Sequence, residues 1–318
     1  MLDRVIRGHK AWRRESLRRE DWCLDIPDTC LAEIDAVVEC LRANPVPTIA
    51  LDANDYRLTA CRRLMKRVRT VLEEGVGFAV LDKLPIDIYS KEELTAVYWL
   101  LSGMIARPVA QSFDGALLYD VRDTGKKIAT RTRGDLTNQE LTWHTDYGFN
   151  HPSPFLGLLV LRTGKSGGES FVVSLNSIHN EMRRRCPELL ARLYRPYYWN
   201  RQGEHAPDDP ITNVNPIFRY DGRRLNGRVN RRLLQVGYQL MDETMDAEGV
   251  AALDTLYDLM DDPEMNFTFQ LEAGQLQYLN NWGCAHQRSG YVDFDDPDKR
   301  RHLVRTFLRD HGARGYMG

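Results

Sequence analysis

Absences narrow this chain first. Its six cysteines, Cys23, Cys30, Cys40, Cys61, Cys186 and Cys284, include no Cys-X-X-Cys pair, so no spacing typical of a zinc ribbon or a dithiol redox centre is present. With 318 residues the chain buries core enough to do without disulfide staples, and reduced thiols in a cytoplasmic protein are expected. Neither sign of charge is in excess: 43 Lys and Arg against 45 Asp and Glu leave a net charge of -2, which argues against a whole-protein nucleic-acid or membrane-surface binder. The longest apolar stretch, near 96–106, is too short and interrupted to span a bilayer, and the Arg-rich start (1–19) lacks the apolar core of a signal peptide. That basic start is expected to fray in solvent, or else to contact a partner subunit in a homo-oligomer. Gly164-Lys165-Ser166 looks like the end of a phosphate loop, but Leu159 stands where its first glycine belongs. No His-Glu-X-X-His, repeat or low-complexity segment occurs.

What is present reads as helices followed by many short strands. Leu31, Ile34, Val37, Val38 and Leu41 form one helical stripe and, after the Pro45–Pro47 break, Leu58, Leu64, Val68 and Val71 form another. The stretch 75–81 reads as a buried strand, and Ser90 with Glu93 makes a capping box for a helix carrying Leu94, Val97, Leu101 and Met104. Strands follow at 117–121, 155–161 and 171–173. Ser174 or Ser177 caps a helix bearing His179, which is expected to pack rather than to ligate. The stretch 197–216, with His205, reads as a polar loop. A helix at 248–260 precedes strands carrying Phe267 and Phe269, then Leu276, Tyr278 and Asn280. The polar run 122–139 is either a lid or a plain surface excursion. No linker divides the chain, so we expect one domain: an N-terminal helical segment (1–70) and a double-sheet β core with helical insertions (71–318).

The chemistry gathers around Leu141-Thr142-Trp143-His144-Thr145-Asp146. An extended strand points His144 and Asp146 to the same side, and His286 is the candidate second imidazole. Two His and one carboxylate on one face of a metal leave open positions opposite, as in non-heme Fe(II) oxygenases. Such a centre chelates a 2-oxo acid and O2 together, and the acid's far carboxylate then needs a cation. Arg301 supplies a two-pronged one, with Ser170 as an added hydroxyl donor. Arg305 lies on the same strand face about 13 Å further along and is free for a different anion, such as that of the substrate. Arginines at 301, 305 and 309 on an otherwise apolar strand are costly to bury without anions.

His144-Thr145-Asp146, Gly167-Gly168-Glu169-Ser170, Asn281 followed by His286, and Arg301-His302-Leu303-Val304-Arg305 come in the order and spacing of a known family. From about Gly75 to Arg309 the chain resembles the taurine dioxygenase and clavaminate synthase-like branch of Fe(II)/2-oxoglutarate-dependent oxygenases. The resemblance implies a jelly-roll (double-stranded β-helix) core, mainly β with flanking helices. It implies iron at His144, Asp146 and His286, 2-oxoglutarate at Arg301 with Ser170, and a substrate role for Arg305. The implied reaction consumes O2 and 2-oxoglutarate, releases succinate and CO2, and hydroxylates an unactivated C–H of a small anionic, amino-acid-like substrate. Glu140, Leu141, Tyr147 and Arg288 are further candidates for the substrate pocket.

Three positions depart from the pattern. Asn280 stands where many relatives carry an acid, Ser170 where threonine is frequent, and Asp146 where clavaminate-like members often have Glu. None removes a ligand, and Asp146 favours hydroxylation over the halogenation of relatives with a small residue there. The rival readings are a Zn(II) hydrolase, which leaves Arg301 without a task, and a non-catalytic jelly roll that binds a small anion or a partner.

Overall fold

A computed structural model describes residues 1–125 and 134–312. The core strands are β1 (Phe78–Leu81), β2 (Tyr119–Val121), β3 (Leu141–His144), β4 (Phe155–Arg162), β5 (Ser170–Ser174), β6 (Asn266–Phe269), β7 (Leu276–Asn280), β8 (Cys284–Arg288) and β9 (His302–Leu308). They form two antiparallel sheets. The larger runs β1-β7-β4-β9, with β2 also paired to β9, and the smaller runs β6-β5-β8-β3. Phe78, Leu156, Leu279 and Phe307 of the first sheet meet Val172 and Cys284 of the second in one buried cluster. This is the expected jelly roll. Helices hold 36% of the residues and strands 22%, so the cover outweighs the core, yet the candidate site is built on strands.

The larger sheet is apolar on both faces because helices cover its back. These are α1 (Asp28–Ala43), α2 (Thr59–Glu73) and α3 (Lys91–Ile105), whose Ile34, Val38, Leu64, Val68 and Val97 share a core with Leu81, Leu159 and Tyr278. The capping box at the head of α3 forms in both directions: Glu93 N donates to Ser90 Oγ (3.2 Å) and Ser90 N to Glu93 Oε2 (2.8 Å). Gly157 lets α3 and β7 approach β4, since a Cβ there would lie 2.8 Å from both Tyr278 Cε1 and Tyr98 Oη.

The back of the smaller sheet is covered by α4 (Leu175–Arg185), capped by Ser174, then α5 (Pro187–Arg192), α6 (Arg231–Leu240) and α7 (Ala247–Asp261). Here the polar-loop reading of 197–216 is corrected. Tyr197–Asn200 pairs antiparallel with Thr212–Asn215, because Tyr197 and Trp199 alternate into the core below. That two-residue period was hidden by the polar residues between the strands. The basic N-terminus neither frays nor stands free: Leu2 and Trp12 are buried, Ile6 exchanges backbone hydrogen bonds with the Asn180 amide, and Trp12 Nε1 donates to Val76 O. His179 does pack, fully buried with Nε2 2.8 Å from Tyr194 Oη. No helix among the described residues is long and apolar enough to cross a membrane.

Two tests follow from this packing. Gly157→Ala forces the tyrosines apart and should cost about 1–3 kcal/mol of stability in denaturant unfolding. Burial, then the charge of Arg183, lowers the His179 pKa to about 4. Between the ordinary value of 6.5 and about 4 the unfolded chain therefore holds a proton that the folded chain lacks. Stability should fall as pH drops through that window, by on the order of 3 kcal/mol in all, and His179→Gln should flatten that part of the profile.

Candidate metal centre and its two chambers

β3 and β8 pair so that His144 and His286 stand directly opposite each other, with ring centroids 4.1 Å apart. One ligand atom from each of His144, Asp146 and His286 lies within 4.8 Å of the others, and His286 Nε2 is 3.8 Å from Asp146 Oδ2. Strand alternation does not account for Asp146, because β3 ends at His144. Asn281 holds it instead. Its Oδ1 accepts Asp146 N (2.8 Å), and its Nδ2 donates to Asp146 O (2.8 Å) and Ser153 O (3.1 Å). Thr145, between the two candidate ligands, is fastened to Val229 by its backbone N–H and by its hydroxyl.

The protonation states suit a cation. His144 Nδ1 lies 2.9 Å from Thr142 O, so it donates there and leaves the Nε2 lone pair free. Burial, then the neighbouring His144, lowers the His286 pKa to about 3, which keeps that imidazole neutral at physiological pH. Its Nδ1 is buried and has no hydrogen-bond partner among the described residues. Two imidazoles and a carboxylate, presented by backbone that Asn281 and Val229 fix, fit a divalent first-row metal.

Two chambers meet at these residues. The first is lined by Ser170, Phe171, Leu158, Leu271 and Arg301, and the second by Gln111, Tyr147, Phe149, Gln202, Asn230 and Phe307. Leu141, His144, Asp135, Asp146 and Arg305 border both. Arg301 is 9% exposed, its guanidinium lies 5.0 Å from the Tyr291 ring centre, and no described carboxylate comes within ion-pair distance. Burial pulls its pKa down. The Gly167–Gly168 turn, with φ of 73° and 79°, passes beside it, and a Cβ on Gly168 would sit 3.7 Å from Arg301 Nε.

Arg305 is placed differently from expectation. It is 6% exposed and already has anions of the protein's own: Nη1 meets Asp135 Oδ2 at 2.9 Å and Asp146 Oδ1 at 3.3 Å, while Nε donates to Gln111 Oε1 at 2.9 Å. The second oxygen of Asp135 is buried with no hydrogen-bond partner among the described residues. Leu141 and Tyr147 line the second chamber. Glu140 does not: it is exposed and accepts a hydrogen bond from Gln287. Arg288 borders the first chamber rather than the second, and its Nη2 braces the carbonyls of Thr137 and Gln139.

Asp135, Gln111, Gln202 and Asn230 were not foreseen. Asp135 belongs to the polar run 122–139, of which 126–133 lie outside the described residues, so the lid expectation rests partly on residues not described. Gln202 and Tyr147 are two of the three non-glycine residues with positive φ among the described residues (56° and 61°). Left-handed backbone at ordinary residues collects at functional sites, but no sequence pattern announces it.

Residues 45–307 match the taurine catabolism dioxygenase TauD, TfdA family. The chain belongs to that family, and it is an Fe(II)- and 2-oxoglutarate-dependent dioxygenase, with O2 as the second co-substrate. It is 27% identical, over 99% of its own length and 94% of the relative's, to FR-33289 synthase of Streptomyces rubellomurinus. Two solved structures share the fold over 91% of this chain. They are an asparagine oxygenase in complex with Fe(II), 3-hydroxyasparagine and succinate (TM-score 0.67, 17% identity, 93% of that chain) and the non-heme iron oxygenase OrfP with Fe and alpha-ketoglutaric acid (TM-score 0.67, 16% identity, 94% of that chain).

If the three side chains form the metal site, purified protein should take up one Fe(II) or Co(II) per chain by elemental analysis. His144→Ala and His286→Ala should abolish uptake with the far-UV spectrum unchanged. Asn281→Ala should weaken it about 10–100-fold through loss of the clamp on Asp146.

Proposed function

We propose that His144, Asp146 and His286 hold the ferrous ion and that Arg301, helped by Ser170, takes the far carboxylate of 2-oxoglutarate. The second chamber receives a small amino-acid-like substrate. The observation that carries this reading is the contrast between two buried arginines, Arg301 just before β9 and Arg305 within it: Arg301 has no described carboxylate within ion-pair distance, whereas Arg305 is poised between two. A desolvated guanidinium beside a hydroxyl offers a bidentate site for a carboxylate that water cannot easily displace. The bound ferrous ion, with 2-oxoglutarate and O2, supplies the oxidising equivalent that hydroxylates an unactivated C–H bond, with release of succinate and CO2.

The chain's own residues do the positioning. Leu158, Phe171 and Leu271 wall the 2-oxoglutarate chamber against water. In the second chamber Arg305 takes the anionic group of the substrate. The unpartnered Asp135 oxygen takes a donor, for which an ammonium is the fitting partner. A zwitterion placed this way has both ends fixed and its carbon skeleton turned along the chamber. Family membership removes the two rival readings, the Zn(II) hydrolase and the non-catalytic binder. A cytoplasmic location completes the proposal, supported by six cysteines that are all free thiols in the structure.

Anaerobic addition of Fe(II) and 2-oxoglutarate should produce the weak visible charge-transfer band of the chelate. Arg301→Ala should raise the 2-oxoglutarate needed by about 30–100-fold, the worth of a desolvated charged pair. Succinate release across a panel of L-α-amino acids and their des-amino analogues should be stimulated by an amino acid and not by its des-amino partner. No band in well-folded wild type would sink the cofactor assignments, while a band without stimulation by any amino acid would sink only the substrate class.

A further inference from the structure

Away from the metal centre, α1 and α2 are locked together at their first turns. Glu33 of α1 accepts the N–H groups of Ala60 and Cys61 (2.9 and 3.0 Å), capping the head of α2 with a carboxylate from its neighbour. Cys30 lies one turn before Glu33 on the same face. The cap therefore brings Cys30 Sγ to 2.7 Å from Cys61 Sγ, with both side chains fully buried. Non-bonded heavy atoms ordinarily rest roughly 3.5–4 Å apart, so each sulfur already occupies the other's contact shell. The proton between them is unequally held: the Cys61 hydrogen bond lowers the pKa of Cys30, and that of Cys61 is raised. Among the described residues the other four cysteines show no sulfur–sulfur contact, and Cys284, equally buried, points at Val76 O.

We propose that Cys30 and Cys61 are an oxidative modification site, joined by peroxide as a reversible disulfide that staples α1 to α2. The Cys30 thiolate attacks one peroxide oxygen and the other leaves as water, giving a sulfenic acid. The Cys61 sulfur then displaces that hydroxyl as a second water, so two thiols and one H2O2 become one disulfide and two H2O. Each cysteine is the third residue of its helix, so a small oxidant reaches the buried pair only through a local opening of the helix heads. Glu33 has already brought the sulfurs together, so closure requires little further ordering. The helix pair lies behind the larger sheet, so the bond should change stability and leave turnover alone.

The test uses full-length protein with Zn(II) in place of Fe(II), so that peroxide does not react at the metal. After a brief H2O2 exposure, thiols titrated in denaturant should fall from six to four, the intact mass should drop by about 2 Da, and a peptide map should show Cys30 joined to Cys61. Dithiothreitol should restore all six. The oxidised form should melt about 5 °C higher, a difference that Cys61→Ala abolishes and Cys40→Ala keeps. Six remaining thiols, masses raised by added oxygen, or a bridge mapped to other cysteines would each overturn the proposal. The wild-type map decides even if a cysteine variant fails to fold.

Discussion

The pairing of His144 with His286 across β3 and β8 is the constraint on which the site depends. Side chains alternate along a strand, so a one-residue slip of either strand would turn one imidazole away and dismantle the cluster. That register is secured on both flanks. β5 binds β8 along its whole length, from Cys284 opposite Ser174 to Arg288 opposite Ser170. On the other side an isolated bridge from Asn230 to His144 closes the free edge of β3. Asn281 then brings Asp146 to the pair from beyond the strand's end. The insertion from Leu175 to Asp261, which looks peripheral to a jelly roll, thus reaches the centre through Val229 and Asn230.

β9 divides the labour between the two chambers. Its residues are buried from His302 to Leu308; Arg301, just before it, and Leu303, Arg305 and Phe307 within it border the cavities. Placing two cations in such a strand would be prohibitive if both lacked partners. The protein supplies acids for one, and the carboxylate of 2-oxoglutarate is the partner we propose for the other.

Much of this was legible in the sequence, for identifiable reasons. The helical stripes of α1 and α2, the Ser90–Glu93 box and the apolar run of β4 are local patterns, and they fold as they read. His144, Asp146 and His286 come together because their chemistry marks them and their order is that of the family. Asp135, Gln202 and Asn230 did not declare themselves. Their positions arise from contacts between segments far apart in sequence, and an acid in a polar run looks like any solvated acid. Glu140 was misplaced for the converse reason: adjacency to a motif does not decide which way a strand's first residues point. Tyr197 and Trp199 were lost among polar neighbours, although each lies under the insertion's helices.

The guanidinium of Arg305 has a consequence that reaches beyond its chamber. It touches the candidate metal ligand Asp146 and the acid Asp135 and borders the space where a substrate anion would lie, and its single positive charge cannot fully neutralise all three. Any anion it takes up loosens its grip on Asp146, returning electron density to that carboxylate. By reciprocity, a cation at Asp146 loosens Arg305 for the anion by the same free energy. Filling of the second chamber and the donor strength of the candidate metal site would then be two readings of a single equilibrium, with one side chain as its pivot.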